Sequence, residues 1–453
     1  MKNKIQTNFP FTGEVLNTYD LFTDDQIENA LEKSAETFTS WRKVTLKEKV
    51  EMLARLSDIL EENKKVCANL ITLEMGKPFK QSIAEIDKCI WLINFYAKNA
   101  EQFLSDELIE TDAEESFISK DPLGIIFGIM PWNYPFWQAL RFAIPTITAG
   151  NTIVLKHANN VLGSALMIED IFRKAGYPEY CFQTIIATHD QVEDIIGDDR
   201  IKGVSFTGSE KAGKKIAELA GKYLKKIVLE LGGSNACIIS EDADLDKYID
   251  TIVKARLQNT GQSCIAAKRY IVEEKIYDKF LEYYNNGIQK LKFGDPLHHE
   301  TDIATMARED LAEEVEQQIT ESVNKGAKIF IGGKRDKAYI EPTILTDVTP
   351  DMPVFNEEVF GPVASIIKAE NLKHAIQLAS NSKYGLGTMV FTEDQQKVRE
   401  LISEIPDGAL FVNEMVKSDP RLPFGGTKAS GYGRELSKEG ILEFVNKKTV
   451  YIK

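Results

Sequence analysis

Leu123-Gly124-Ile125-Ile126-Phe127-Gly128-Ile129-Met130-Pro131-Trp132-Asn133-Tyr134-Pro135 joins a short uncharged run to a polar loop framed by two prolines. A brief continuous apolar run between turn residues reads as a strand buried on both faces. The uncharged stretch between Asp121 and Arg141 is nearly long enough to cross a bilayer. Pro122, Pro131, Asn133, Pro135 and Gln138 interrupt it, so it is expected to be strand, loop and helix start, not a membrane span. The pattern then repeats. Residues 125–129, 152–155, 184–187, 203–206 and 227–229 read as buried strands, with helical spacing between them at 137–147, 161–174, 191–196 and 211–219. This alternation predicts a parallel sheet covered by helices. Ligands of such sheets sit beyond the carboxyl ends of the strands, which places Lys156, Thr207, Gly208, Ser209 and Glu230 on one rim.

Upstream, the first hundred residues read as helical. Thr23 with Gln26, Thr45 with Glu48 and Ser82 with Glu85 each match a capping box, and Gly76 before Pro78 matches a helix stop. Charge at 107–115 predicts a solvated segment or an edge ribbon. Downstream lies a second alternating region, with strands at 236–239, 269–272, 328–331, 387–391 and 408–412. Its helices are expected at 245–258, 277–290, 311–325 and 373–380. The tail 449–453 reads as an exposed strand able to pair with another chain.

At 453 residues the chain has room for two or three domains. Its formal net charge of −14 argues against nucleic acid or an acidic membrane surface as partner. Five widely spaced cysteines, with no CxxC, argue against a disulfide framework or zinc site and for a reducing, cytoplasmic setting. No signal peptide is read at the N-terminus. The histidines lack metal-ligand spacing, so no metal is expected.

Candidate chemistry begins at Asn259-Thr260-Gly261-Gln262-Ser263-Cys264-Ile265. A lone cysteine is most often core. Here Gly261 permits a turn that would expose the thiol and its own N–H, which suits a nucleophile. Glu230 ends an apolar strand before Leu231-Gly232-Gly233. It reads either as a salt-bridged edge residue or as a general base with a raised pKa. Asn133 reads either as a helix cap or as an oxyanion donor. Phe206-Thr207-Gly208-Ser209-Glu210-Lys211-Ala212-Gly213 is a strand–turn–helix junction of a kind that favours phosphate, though it is not GxGxxG.

These motifs, with Glu357-Glu358-Val359-Phe360-Gly361-Pro362 and Pro423-Phe424-Gly425-Gly426, follow the order and spacing of the aldehyde dehydrogenase superfamily, which the chain resembles over nearly its whole length. Phe136-Trp137-Gln138-Ala139-Leu140-Arg141-Phe142, Leu155-Lys156-His157-Ala158-Asn159 and Lys417-Ser418-Asp419-Pro420-Arg421-Leu422-Pro423 resemble its bacterial succinate-semialdehyde dehydrogenase branch. The resemblance implies an α/β fold: a Rossmann-like cofactor domain (1–104 and 123–230), an α/β catalytic domain (231–436) and a small β oligomerisation element (105–122 and 437–453). It implies a homodimer or homotetramer joined through the C-terminal strand. It makes Cys264 the nucleophile, Asn133 and the Cys264 N–H the oxyanion donors, and Glu230 the base that hydrolyses the thioester. Trp132, Lys156, Asn159, Thr207, Gly208, Ser209, Leu231, Glu358 and Phe360 would bind cofactor, Lys156 and Glu358 at the riboses.

Many NAD-specific relatives carry an acid three residues after the ribose lysine. Asn159 stands there instead, with Lys156 and His157 nearby, so both NADP and NAD are expected. Trp137 and Arg141 share a helix face that would line the substrate tunnel, with Ser418 and Phe424 opposite. An arginine there predicts an aldehyde bearing a carboxylate, most simply succinate semialdehyde; alternatively Arg141 is a surface or interface residue in an ion pair. Another ω-semialdehyde or a medium aliphatic aldehyde is the nearest competing substrate, and an acyl-CoA-forming dehydrogenase a further variant of the fold. A cysteine hydrolase is the competitor from another class. A fold retained without activity is the last alternative.

Overall fold

The computed structural model describes residues 4–453. Its first sheet has the order Gly431–Tyr432, Lys226–Glu230, Ile201–Thr207, Ile125–Met130, Thr152–His157, Phe182–Thr184. The last five strands run parallel. Chain order reverses at Ile125–Met130, the first of the five. A crevice therefore opens beyond the carboxyl ends of Ile125–Met130 and Ile201–Thr207, where the Asn133 loop and the Thr207-Gly208-Ser209 turn emerge. The expected strand at 184–187 forms earlier, at Phe182–Thr184. Gly431–Tyr432 falls inside the 231–436 segment expected in the other domain, yet pairs antiparallel with Lys226–Glu230. From Gly431 opposite Glu230 this return strand runs toward the start of Lys226–Glu230.

Helices Asp24–Trp41, Pro135–Thr148, Leu162–Lys174, Gln191–Gly197 and Glu210–Lys222 cover the sheet, with Leu46–Glu62, Lys64–Met75 and Phe79–Leu104 packed outside. Pro135 occupies the first turn of its helix, where no N–H is needed. Thr23 and Thr45 form the two expected capping boxes. Ser82 and Glu85 do not, because both lie inside Phe79–Leu104. Ser82 Oγ instead sits 2.9 Å from Thr72 Oγ1, and Glu85 accepts from the N–H groups of Phe136 and Trp137 at 2.9 and 3.0 Å. The hairpin Lys4–Asn8/Val15–Asp20 replaces helix at the N-terminus. Its strands are mostly solvent-facing, so they carry little apolar periodicity.

The second sheet has the order Lys328–Ile331, Thr343–Thr346, Val363–Ala369, Ala267–Glu273, Asn235–Ile239, Thr388–Phe391, Leu410–Val412. Only the first pair is antiparallel. Thr343–Thr346 and Val363–Ala369 are additional to the strands anticipated. Val445–Ile452 pairs along its length with Glu115–Pro122, and Glu107–Leu108 completes a three-stranded ribbon. The tail strand is thus four residues longer at its start than expected and is partnered within its own chain. Among the described residues no helix is long and apolar enough to cross a membrane.

Candidate active site

The cysteine loop is held by its side chains and by unusual backbone. Asn259, Thr260 and Gly261 all have left-handed φ, at 56°, 54° and 74°. For Asn259 and Thr260 such conformations cost about 1–3 kcal/mol each, so surrounding contacts must enforce them. Gly261 admits no replacement: a Cβ would lie 2.3 Å from the Gly361 carbonyl oxygen. Asn259 Nδ2 donates to Asn133 O at 2.8 Å and Gln262 O at 3.1 Å, while its own N–H donates to Gln81 Oε1 at 2.7 Å.

Two buried cations lie beneath. Lys268 Nζ donates to the carbonyls of Ser263 and Cys264 at 2.7 and 2.6 Å and reaches Glu358 Oε1 at 3.3 Å. Arg256 donates to Val359 O at 2.8 Å, Ala267 O at 3.2 Å, Gly261 O at 3.4 Å and also to Gly361 O. The nucleophile loop and the Glu358 loop are therefore tied through shared donors.

Cys264 is partly buried on the wall of a cavity of about 120 Å³. Burial pushes the Cys264 thiol up to about 11, with Lys268 and Arg141 opposing. The resting group is the thiol. No histidine lines the cavity, so the partner a cysteine hydrolase would use is not on its wall.

Asn133 is buried against the loop and does not line the cavity. Its Nδ2 donates to Gln262 O at 3.1 Å and its Oδ1 has no partner. The second N–H of the amide is left for a ligand. Glu230 is also buried and off the cavity wall, with Oε1 unpartnered. Burial, then the Glu435 carboxylate, raise its pKa well above the usual range, while Arg141 and Arg434 oppose. The salt-bridged alternative for Glu230 does not hold.

Trp137, Arg141, Ser418 and Phe424 do line the cavity together. Arg141 is not free, however. It is 2% exposed, its Nε is ion-paired to buried Glu435, and its guanidinium lies 4.7 Å from the Phe424 ring centre. The contact is one of charge: Nε and Nη2, and both Glu435 carboxyl oxygens, are without a hydrogen-bond partner. Arg141 is thus ion-paired, but buried within the site and not at the surface. Lys88, unanticipated from sequence, shares the cavity. Its Nζ donates to Ser418 Oγ at 2.6 Å and stands 4.0 Å from the Trp137 ring centre.

On the crevice side, Lys156 is 6% exposed and makes no hydrogen bond or ion pair among the described residues. Burial lowers its pKa. Thr207 Oγ1 is buried and unpartnered. Ser209 caps Glu210–Lys222, accepting from Ala212 N at 3.3 Å. Leu231 fills the space beside Gly213, where a Cβ would meet it at 2.4 Å. Gly233 N donates to Glu358 Oε1 at 3.1 Å, and a Cβ on Gly232 would lie 2.1 Å from Glu358 Oε2. Trp132 and Phe360 meet edge to face at 5.7 Å. Asn159 is exposed on the turn after Thr152–His157. Unsatisfied polar groups, a helix N-terminus and a glycine-lined approach together fit a dinucleotide. His157 does not take part: it is 1% exposed, its Nε2 lies 2.9 Å from Pro135 O, and burial holds its pKa down near 4. Both ring nitrogens are engaged by backbone, Nε2 at Pro135 O and Nδ1 by the Ala158 N–H at 2.9 Å.

Lys88, Glu435, Lys268 and Arg256 were missed in the sequence. Lys268 and Arg256 had a usable signal, since each interrupts an otherwise buried apolar pattern. Lys88 and Glu435 had none, because only the tertiary fold brings them to the cavity.

The aldehyde dehydrogenase family model matches residues 1–450. A Synechocystis protein described as a probable succinate-semialdehyde dehydrogenase [NADP(+)] is 45% identical over 99% of both chains. The Mycobacterium tuberculosis succinate-semialdehyde dehydrogenase [NADP(+)] 1 is 42% identical, again over 99% of both. Among solved structures, succinic semialdehyde dehydrogenase from Streptococcus pyogenes in complex with NADP+ superposes with a TM-score of 0.97 at 38% identity over 99% of each chain.

Proposed function

The chain belongs to the aldehyde dehydrogenase family, and from that premise we propose that it oxidises succinate semialdehyde to succinate, using NADP or NAD. The observation that carries the substrate is the small cavity beside Cys264, whose charged lining is cationic in net.

In this reading Cys264 loses its proton and attacks the aldehyde carbon. The resulting oxyanion is held by the free N–H of the Asn133 amide and by the Cys264 backbone N–H. A nicotinamide bound there would supply the hydride acceptor, and loss of hydride from that carbon would leave a thioester on Cys264. Glu230 takes a proton from the attacking water, and the acid departs as Cys264 is restored. Burial raises the Glu230 pKa, and the group stands off the cavity wall, so its movement toward the thioester belongs to this reading. Lys156 and Glu358 hold the riboses. Thr207, Gly208 and Ser209 present the helix N-terminus to the pyrophosphate. Trp132, Leu231 and Phe360 line the nicotinamide end. Asn159 leaves room for a 2′-phosphate without a repelling carboxylate.

The ribbon ending in Val445–Ile452 supports a homodimer or homotetramer, since its edge exposes Leu108, Tyr451 and Ile452. Five unpaired cysteines suit a reducing, cytoplasmic location. The test is a panel of succinate semialdehyde, glutarate semialdehyde and butyraldehyde with each cofactor, following nicotinamide reduction. Equal kcat/KM for the charged and uncharged aldehydes would end the substrate assignment. Acid production without either cofactor would point to a hydrolase.

A further inference from the structure

We propose that Lys88, oriented by Ser418, is the charge that selects an anionic substrate, while Arg141 chiefly compensates Glu435. The inference rests on the semialdehyde reading above and names the group that enforces it.

The argument begins with the charges on the cavity wall: Glu85, Lys88, Arg141 and Lys417. Glu85 is paired with buried Lys77 and accepts two backbone N–H groups. Arg141 is paired with Glu435, and Lys417 with Glu414 at 2.9 Å. Lys88 alone has no carboxylate within ion-pairing distance among the described residues. The cavity therefore carries one uncompensated positive charge, a match for a single substrate carboxylate.

Local structure aims that charge inward. Gln81, Ala84, Glu85 and Lys88 recur at three- and four-residue spacing on Phe79–Leu104, and all four line the cavity. An ammonium has three donors. One goes to Ser418 Oγ and the flank lies against Trp137, whose ring attracts a cation but supplies no anion. At least one N–H remains for a ligand.

Burial, then Arg141, bring the Lys88 pKa down to about 7, with Cys89, Glu85 and Asp419 opposing. Cys264 and Lys417 also face the cavity. Only the ammonium attracts a carboxylate, and a bound carboxylate raises the lysine's pKa in turn. Selection is thus fully present below about 7 and weakens as pH rises through that value, by up to tenfold per pH unit.

The experiment measures the ratio of kcat/KM for succinate semialdehyde to that for butyraldehyde, from about pH 6 to about pH 9. Effects on Cys264 common to both aldehydes cancel in this ratio. In the wild-type protein it should fall above about pH 7. In Lys88→Met it should drop about 10- to 100-fold at neutral pH and lose its pH dependence. In Lys88→Arg it should stay high and become flat, because arginine remains charged. A wild-type ratio that is high but flat with pH, or a ratio unchanged in Lys88→Met, overturns the role of Lys88 alone. A wild-type ratio near one overturns the semialdehyde reading itself. If Lys88→Met does not fold, the wild-type profile and Lys88→Arg decide the matter.

Discussion

Replacing Arg256 with methionine tests whether one buried guanidinium holds the nucleophile loop and the Glu358 loop in register. Arg256 is fully buried, and its partners are four neutral carbonyls from Gly261, Ala267, Val359 and Gly361. Burial draws its pKa down to about 10, a depression that corresponds to about 3 kcal/mol of cost in keeping the charge. Methionine removes that cost and fills a similar volume. It also strands the buried carbonyls of Gly261, Ala267 and Val359, at ~1.5–2 kcal/mol each, while Gly361 O keeps the Val363 N–H at 2.8 Å. The net expectation is a loss of roughly 1.5–3 kcal/mol. That should appear as a fall in melting midpoint on the order of 2–3 °C, followed by scanning fluorimetry. The kinetic signature is more specific. Freed from Val359 and Gly361, Glu358 loses its placement, so the cofactor KM should rise. Freed from Gly261, the Cys264 loop relaxes its left-handed turn, so kcat should fall with it. Arg256→Lys should recover only part of both, because an ammonium cannot span the four carbonyls. A methionine variant that melts within about 1 °C of the parent and keeps its cofactor KM would show that the guanidinium only fills space.

Glu230→Gln should lower kcat by about 10²–10⁴ yet preserve a burst of reduced cofactor, because acylation precedes the hydrolytic step; loss of the burst would place Glu230 before the thioester instead. With the Cys264 thiol raised to about 11, iodoacetamide alkylation of the cofactor-free protein should quicken by nearly tenfold per pH unit from about pH 7 to about pH 10. A rate that levels off near neutrality would mean that the thiolate is already formed. Asn159→Glu puts a carboxylate where the 2′-phosphate is expected, and should cut kcat/KM with NADP by about tenfold or more while sparing NAD; an unchanged cofactor ratio would remove Asn159 from the phosphate site.

Most of the scaffold could be read in the sequence because both sheets are chiefly parallel and buried. Runs such as 125–129 and 236–239 are continuous apolar strings, and the helices between them keep their period. Reading failed where burial does not shape sequence. The hairpin Lys4–Asn8/Val15–Asp20 is mostly exposed, and Gly431–Tyr432 is only two residues long. The Ser82/Glu85 pair misled for a different reason. Its spacing suits a cap, but tertiary contacts to Thr72, Lys77 and the start of Pro135–Thr148 claimed both side chains. The same limit applies at the site. Cys264 stands in a loop whose glycine and polar neighbours mark it locally, whereas Lys88 reaches the cavity from 176 residues upstream on an ordinary amphipathic helix. Local sequence therefore pointed to the reacting group more readily than to the groups that surround it.

That asymmetry bears on Arg141. Motif reasoning assigned it to the substrate because the position faces the tunnel, and it does line the cavity. The fold adds two buried carboxyl groups, Glu230 and Glu435, to the same neighbourhood and supplies this arginine between them. One guanidinium cannot fully compensate two carboxylates and a substrate. The ion pair with Glu435 uses it, while burial and then the Glu435 carboxylate raise the Glu230 pKa. Drawing Arg141 wholly onto a substrate carboxylate would leave Glu435 buried and uncompensated, at a cost of several kcal/mol. A separate cation for the substrate removes that conflict. Lys88 stands on another helix and has no carboxylate of its own, so it can bind substrate without unbalancing the pair on which the ionisation of Glu230 depends.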